Sequence, residues 1–349
     1  MLPELSYSLP AYRPGDYSRA AEWITDLKTL GFHCVTFTPT YLVHDEVPLR
    51  IDPERGPTFD ELARAVGFAL EAGCAVQIDP HLDWESTLTG GPYEWRRRMY
   101  FDPAEAYFDQ LLGPIVGLLK AAGEERCTLT LGSELDVSLV EFSLGWLSVA
   151  EAIRKLAPGI ALAHKLNGDS LDRGESIRTD LNRERSRRGF ADIGRAEYVS
   201  LVRSMSDYLS ALDVVSFSFY PSIEKTANMP VAFTDAAKSL AKKLRSAVGS
   251  HVQFAVGEFG LGSADTTRPW YFDEKTFLRP DGKMDDGARQ TRRMFYNGFL
   301  NALSSGLENV ERVSFWTVAQ YDFLGVCGND VFRDEELRSA VRDYNTEAI

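Results

Sequence analysis

Residues 126–136, with the sequence RCTLTLGSELD, contain the pattern from which the architecture of this chain can be predicted. A short apolar run leads into a glycine and is followed by Glu134. Residues 252–260, VQFAVGEFG, repeat the pattern and carry Glu258 directly after a glycine. Continuous apolar runs of this length are typical of strands covered on both faces, as in a parallel sheet. We therefore expect each glutamate to lie at the carboxyl end of a buried strand.

Around these two stretches, helical segments repeatedly end in glycine and pass directly into an apolar run. Gly31 precedes the run at 33–38, and Gly73 precedes the run at 74–78. A glycine after a helix accommodates the left-handed cap conformation and lets the chain turn back. We predict strands at residues 4–9, 33–39, 74–80, 126–132, 159–165, 213–219, 252–257 and 310–316. Helices are predicted near residues 17–30, 58–72, 103–122, 139–156, 196–211, 232–247, 286–305 and 334–345.

This alternation of strands and helices predicts a parallel sheet. Eight units in 349 residues favour an α/β fold of the (β/α)8 TIM barrel type, forming a single domain over residues 1–349. An open sheet would more naturally have a glycine-rich phosphate turn after its first strand, which residues 6–10 lack. Long connections are predicted near residues 81–101, 168–195 and 261–284, on the catalytic face of the barrel.

Several helix starts are also legible in the sequence. Thr58 with Glu61 and Ser138 with Glu141 have the spacing of capping boxes, and the Asp102-Pro103 pair supplies a cap followed by proline in the first turn.

Composition excludes several classes of function. The chain is 44% hydrophobic and carries a net charge of −13, so we expect a large core and neither nucleic acid nor a membrane as a partner. The first eight residues lack a basic start followed by an apolar run, which predicts no secretion signal. The four cysteines show no metal-ligand spacing and are interpreted as free thiols. Together these features predict a cytoplasmic protein.

Polar and aromatic residues follow the predicted strands at their carboxyl ends, where they would converge on one mouth. Cleavage of a glycosidic bond with retention needs two carboxyl groups about 5 Å apart. One must hold a proton for the leaving oxygen, and the other must be ionised to attack the sugar. We expect Glu134 to be the acid/base and Glu258 the nucleophile. Tyr220 is expected to donate a hydrogen bond to Glu258, and Trp316 to offer a flat platform for a sugar ring.

The placement of glutamates after strands four and seven resembles clan A of the retaining glycoside hydrolases, and the resemblance extends over essentially the whole chain. Within the clan, Pro80-His81-Leu82-Asp83 followed by Glu94-Trp95-Arg96 resembles a stretch of glycoside hydrolase family 113, whose activity is mainly endo-β-1,4-mannanase. The resemblance implies that His81, Trp95 and Arg96 lie at the substrate-binding rim.

One position departs from the clan pattern. Most clan members carry asparagine directly before the acid/base glutamate, where it contacts the sugar 2-hydroxyl, whereas this chain has Ser133. Ser133, and Asn167 at the end of the fifth strand, are expected to contact substrate. Because serine is shorter, the resemblance does not specify mannose. We expect a β-linked oligosaccharide of the β-mannan type or a related one.

Three other interpretations remain open. The chain could be a catalytically silent carbohydrate-binding barrel in polysaccharide metabolism. Lys165 could form a Schiff base in an aldolase, although either it or its neighbour His164 must point away from the barrel interior. Asp79 and Asp83 flank His81 and could suggest a metal site, but histidine ligands are sparse at the other strand ends. We expect neither a metal nor a cofactor, and leave the oligomeric state open.

Overall fold

A computed structural model describes residues 2–46, 48–52, 54–84, 94–167, 174–248, 251–270, 272–305, 310–316, 322–327 and 330–348. Ten strands lie in these ranges: β1 (Glu4–Ala11), β2 (Cys34–Glu46), β3 (Leu49–Ile51), β4 (Ala75–Ile78), β5 (His81–Trp84), β6 (Cys127–Ser133), β7 (Ala161–Asn167), β8 (Val214–Ser218), β9 (Gln253–Phe259) and β10 (Val310–Phe315).

The predicted eight-stranded barrel is confirmed. Parallel pairing runs in the order β1-β10-β9-β8-β7-β6-β4-β2, and β2 pairs again with β1, so the sheet closes on itself. Closure removes the sheet edges that an open sheet would expose. It also brings the carboxyl ends of all eight strands to one mouth.

Two short strands lie outside the prediction. β3 pairs antiparallel with the far end of β2, and β5 pairs parallel with residues 40–43 of β2. Together they extend one side of the barrel past its mouth. The long connection after β4 therefore begins as a strand, with His81 as its first residue.

Helices cover the outside of the barrel. They are α1 (Ala20–Thr29), α2 (Phe59–Glu71), α3 (Glu94–Arg97), α4 (Gly113–Ala122), α5 (Asp136–Glu141), α6 (Ser143–Leu156), α7 (Gly174–Arg187), α8 (Arg195–Ser210), α9 (Met229–Ala247), α10 (Asp286–Ser304) and α11 (Glu335–Ala348). A π-helical segment, Pro103–Leu112, runs directly into α4. Short 3-10 turns lie at Asp16–Arg19, Glu124–Arg126 and Glu274–Phe277. No helix in the described ranges is long and apolar enough to cross a bilayer.

The predicted helix caps have mixed outcomes. Thr58 and Glu61 form the expected reciprocal capping box at α2, and the Asp102 side chain caps the π-helical segment. The box expected at Ser138 is wrong. α5 begins earlier, at Asp136, and the Ser138 hydroxyl instead donates to the Phe101 carbonyl at 2.7 Å. The Ser138 hydroxyl, which the local spacing predicted to cap a helix, therefore makes a tertiary hydrogen bond instead.

Small polar residues fill part of the barrel interior. The Thr36 hydroxyl lies 2.7 Å from Ser6 and 3.2 Å from Ser314. Since β1 lies between the strands of Thr36 and Ser314, the second contact must pass through the inside of the barrel. TIM-barrel interiors are usually filled by large branched side chains. One long side chain, that of Lys165, also lies inside the barrel and is described below.

Candidate active site

The carboxylate of Glu258 lies at the end of β9, where it is buried within a network of polar side chains. Its Oε1 contacts the ammonium of Lys165 and lies 3.3 Å from Nε2 of His81. Its Oε2 accepts a hydrogen bond of 3.1 Å from the Tyr220 hydroxyl. Asp79 completes the network by contacting the other side of the Lys165 ammonium. One buried lysine therefore joins two buried carboxylates.

The glycine before Glu258 makes space for that lysine. A Cβ on Gly257 would lie 2.7 Å from Cδ of Lys165 and 3.0 Å from Oγ of Ser216, both too close for ordinary packing. The register of β8 against β9 also shifts beside this position, so that Ser218 pairs with Glu258. The Gly-Glu pair recognised in the sequence thus lets a long cation approach the carboxylate that follows it.

The network favours the ionised form of Glu258. Burial by itself would raise the pKa of this carboxyl group, but the ammonium of Lys165, the hydrogen bond and charge of His81 and the charge of Arg96 hold the pKa well below its usual range. Burial would likewise raise the pKa of Asp79, but the charge of Lys165 outweighs it and lowers the pKa. Burial would lower the pKa of Lys165, but Asp79 and Glu258 raise it. Glu258, Asp79 and Lys165 therefore form a buried group of charges within the network.

Glu134 lies just beyond β6 in a strained conformation. Its φ of 57° is the only left-handed value among the described residues that are not glycine. Such strain costs about 1–3 kcal/mol and is concentrated at functional sites. The Glu134 N–H donates to the Lys165 carbonyl at 2.8 Å, which ties this turn to β7. The side chain is held by Arg96, whose Nη1 lies 3.3 Å from Oε2 of Glu134.

Arg96 connects the two glutamates electrostatically. Its Nη2 lies 2.7 Å from Oδ1 of Asp83, and its Nε donates to the Leu82 carbonyl at 3.1 Å. Burial would lower the pKa of Arg96, but the charges of Asp83, Glu134 and Glu258 raise it. Both glutamates therefore act on one guanidinium, and they share one mouth.

His81 and Trp316 form the wall beside this network. Their rings stack with centroids 5.2 Å apart and an angle of 24° between planes. Trp316 is 8% exposed and His81 is 1% exposed. The sequence places His81 at the rim, whereas the structure places it beneath the rim, in contact with Glu258. One face of Trp316 is covered by His81, and the residue as a whole is buried, so it is less open than a platform at the rim would be.

The remaining predicted binding residues differ in position. Ser133 ends β6 and is buried, with a hydroxyl that has no hydrogen-bond partner among the described residues. Asn167 ends β7, half-buried, and its N–H donates to Asp136 at 3.4 Å. The side chain of Trp95 lies outside the described part of the structure, although its backbone belongs to α3.

Asp79, His81 and Glu258 bring potential metal-ligand atoms within 4.8 Å of one another. The ammonium of Lys165 lies among these atoms, 3.0 Å from Nε2 of His81 and in contact with both carboxylates. A resident amine therefore supplies the positive charge that a metal would bring to this cluster.

The sequence left Lys165 open as a Schiff-base residue and Asp79 and Asp83 as metal ligands. It predicted none of the contacts that these three residues make with each other, with Glu258 or with Arg96. The strand alternation left the direction of Lys165 open, and the structure resolves it. His164 points outward, where its Nδ1 lies 3.0 Å from the Tyr208 hydroxyl and burial lowers its pKa to about 3. Lys165 points inward and is fully buried. A protonated, enclosed amine is unsuited to Schiff-base formation, which needs a free and accessible amine.

A cluster of ion pairs fastens α7 beside the mouth. Glu184 of α7 is 1% exposed and receives Arg98 at 2.7 Å, Arg188 at 2.9 Å and Arg187 at 3.1 Å. Arg188 also pairs with Glu46 at the end of β2. The predicted long connection at 168–195 thus contains a helix that several ion pairs hold to the rest of the protein.

Comparison with known proteins supports the fold. No family model matches this sequence, and no curated protein is significantly similar to it. Among solved structures, a family 113 β-mannanase from Alicyclobacillus acidocaldarius in complex with ManMIm has a TM-score of 0.65 at 15% identity, covering 99% of this chain and 97% of the mannanase. A second family 113 β-1,4-mannanase has a TM-score of 0.62 at 15% identity, with 99% and 98% covered.

A more distant likeness is to the family 1 β-glucosidase of Thermotoga maritima. Its TM-score is 0.54 at 12% identity, with 99% of this chain and 97% of the glucosidase covered. The expected resemblance to the fold of family 113 is confirmed. At these identities the comparison establishes the architecture and leaves the chemistry to the residues of the site.

Proposed function

We propose that this protein is a retaining β-glycoside hydrolase in which Glu258 is the nucleophile and Glu134 the acid/base. The observation that carries the proposal is the different environment of the two glutamates. Glu258 is buried and held ionised by Lys165 and Tyr220. Glu134 lies nearer the solvent and contacts Arg96, whose charge also acts on Glu258. The ionised, buried Glu258 supports the role of nucleophile, and the more exposed Glu134 at the same mouth supports the role of acid/base in a double displacement.

The reaction follows from these positions. Glu258 attacks the anomeric carbon, the bond to the leaving oxygen breaks, and the leaving oxygen takes the proton of Glu134. Glu134 then removes a proton from water, whose oxygen attacks the same carbon and releases Glu258. Arg96 contacts Glu134 and is itself anchored on Asp83, so it sets the direction in which the acid/base points.

The substrate that we propose is a β-linked oligosaccharide of the β-mannan type or a related one. The similar structures named for mannanase activity support this class. Ser133 stands directly before Glu134 and is buried, so it is expected to contact substrate less directly than a longer side chain would.

The test measures hydrolysis of aryl β-mannosides, β-glucosides, β-galactosides and β-xylosides, followed by manno- and gluco-oligosaccharides. Glu258→Gln should abolish turnover. Glu134→Gln should lower kcat/KM by about 10²–10⁴-fold, most strongly for substrates with poor leaving groups, because these need protonation.

Azide should rescue Glu258→Ala and give a glycosyl azide of inverted configuration. Glu22→Gln, in an exposed ion pair of α1, is the matched control and should leave activity unchanged. Unaltered activity in either active-site variant would overturn the mechanism. Saccharide binding by an unmodified protein that turns over none of these substrates would instead support a carbohydrate-binding barrel.

A further inference from the structure

We propose that Lys165 is a positioning residue whose ammonium holds Oε1 of Glu258 and leaves Oε2 as the oxygen that attacks the sugar. The inference rests on the proposed glycosidase function and adds to it a residue that the resemblance does not supply. Lys165 is fully buried and so does not itself reach the substrate.

The partners of Lys165 lie across the interior of the barrel. Lys165 belongs to β7 and contacts Glu258 on β9, with β8 between them. It also contacts Asp79, which follows β4, with β6 between them. Contacts that skip a strand must pass through the barrel. The ammonium therefore lies beneath the mouth and reaches Glu258 from below.

The two oxygens of Glu258 differ in their surroundings. Oε1 has two nitrogen neighbours, the ammonium of Lys165 and Nε2 of His81. Oε2 has one hydrogen-bond donor, the Tyr220 hydroxyl at 3.1 Å. The less covered Oε2 is the oxygen available for attack, while the more covered Oε1 becomes the carbonyl oxygen of the glycosyl ester. The other charged groups that act on this carboxylate are Asp79 and Arg96, while Glu134 acts on its two partners Tyr220 and Lys165.

Asp79 keeps the charges balanced through the reaction. In the glycosylation step a bond forms between Oε2 and the anomeric carbon, the bond to the leaving oxygen breaks, and its electron pair takes the proton of Glu134. Glu258 thereby loses its charge, while Lys165 keeps its proton and remains paired with Asp79. A buried ammonium without a counter-ion would be strongly destabilising. The second carboxylate avoids this state in the covalent intermediate.

The deciding variant is Lys165→Met, which keeps most of the length of the side chain and removes its charge. Trapping with 2-deoxy-2-fluoroglycosides should slow by about 100-fold, the loss expected on removing one preorganised donor. The acidic limb of kcat/KM should move to higher pH, because Glu258 would then face Asp79 without an intervening cation. Lys242→Met, at an exposed position of α9, is the matched control and should change neither quantity.

Two further measurements keep the test decisive. The double variant Lys165→Met with Asp79→Asn removes both members of a pair, and it should fold while still trapping slowly. Carbon-13 NMR titration of glutamate carboxyls in the wild-type protein and the variants reports Glu258 without any turnover. If the wild type turns over no glycoside, the proposed glycosidase function is wrong. The titration would still show whether Lys165 lowers the pKa of Glu258. A folded Lys165→Met variant that is trapped at the wild-type rate, and in which Glu258 titrates as in the wild type, would overturn the inference.

Discussion

The Tyr220 hydroxyl lies 3.1 Å from Oε2 of Glu258, the oxygen that Lys165 leaves free. A hydrogen bond to a carboxylate stabilises its charged form. Burial and the charges of Glu258 and Glu134 raise the pKa of Tyr220 well above its usual value, so the hydroxyl keeps its proton and remains a donor. The contact therefore aligns the attacking oxygen while leaving it ionised.

Tyr220→Phe should consequently lower kcat by about 10–100-fold, which corresponds to the 1.5–3 kcal/mol of one hydrogen bond to a charged group. The acidic limb of its pH profile should shift upward, because the ionised carboxylate has lost a donor. Tyr12→Phe, at an exposed position, serves as the control for removal of a tyrosine hydroxyl. An unchanged kcat in Tyr220→Phe would contradict the alignment.

Stability should fall in acid because of the same network. The pKa values of Glu258 and Asp79 are lower in the folded protein than in the unfolded chain, where they are about 4.3 and 3.9. Their contribution is therefore fully present above those unfolded values and is lost as the pH falls through the folded ones. Urea unfolding between pH 2 and 7 should show this loss.

Glu258→Gln removes one of the two titrating groups, so the pH dependence of its unfolding free energy in acid should be shallower than in the wild type. Glu22→Gln removes an exposed carboxyl of α1 and should retain the wild-type slope more closely. Equal slopes in the wild type and in Glu258→Gln would show that this carboxylate does not contribute to acid unfolding.

The sequence predicts the barrel well because its signals are local. Gly31 and Gly73 adopt left-handed conformations with φ of 79° and 80°, as expected for residues that end helices before strands. β2 continues beyond its predicted end at residue 39, where a proline stands in the sequence. Pro39 pairs with Ala11, the last residue of β1. The β1–β2 pairing ends there, so a proline without a backbone N–H is tolerated at this position.

The site is less predictable because its contacts connect distant strands. Glu134 and Glu258 could be found from the glycines before them, and Tyr220 from its place after β8. The inward direction of Lys165 depends on a register that single-strand alternation does not define, and the pairing of β6 with β7 is irregular between Thr130 and Ser133. Lys165 and Asp79 are 86 residues apart in the sequence, and no local motif around either residue predicts that they pair.

Gly257→Ala should destabilise the protein, since the added methyl group would meet the Lys165 side chain at 2.7 Å. Overpacking of this kind costs about 1–3 kcal/mol, and displacement of Lys165 should also lower activity. Gly117→Ala is the matched control. A Cβ there meets nothing within 4 Å, and alanine in the exposed face of α4 should stabilise by about 0.5–1 kcal/mol. Chemical denaturation of both variants measures the difference. A stabilising Gly257→Ala substitution would show that the barrel interior has more room than the structure indicates.

Glu184→Gln should loosen α7 and weaken substrate binding. Its buried carboxylate pairs with Arg98 and Arg188, which are largely buried, and with Arg187, which is exposed. Removing one side of a buried ion pair is destabilising by about 3–5 kcal/mol, because the buried partners stay charged. Hydrogen exchange should therefore accelerate in residues 174–187 while β6 and β9 stay protected. KM should rise more than kcat falls, since α7 lies beside the mouth and holds neither glutamate. Glu151→Gln, exposed on α6, is the control and should leave exchange unchanged. Wild-type exchange in α7 of Glu184→Gln would mean that other contacts, such as Arg185 with Glu141, suffice to hold the helix.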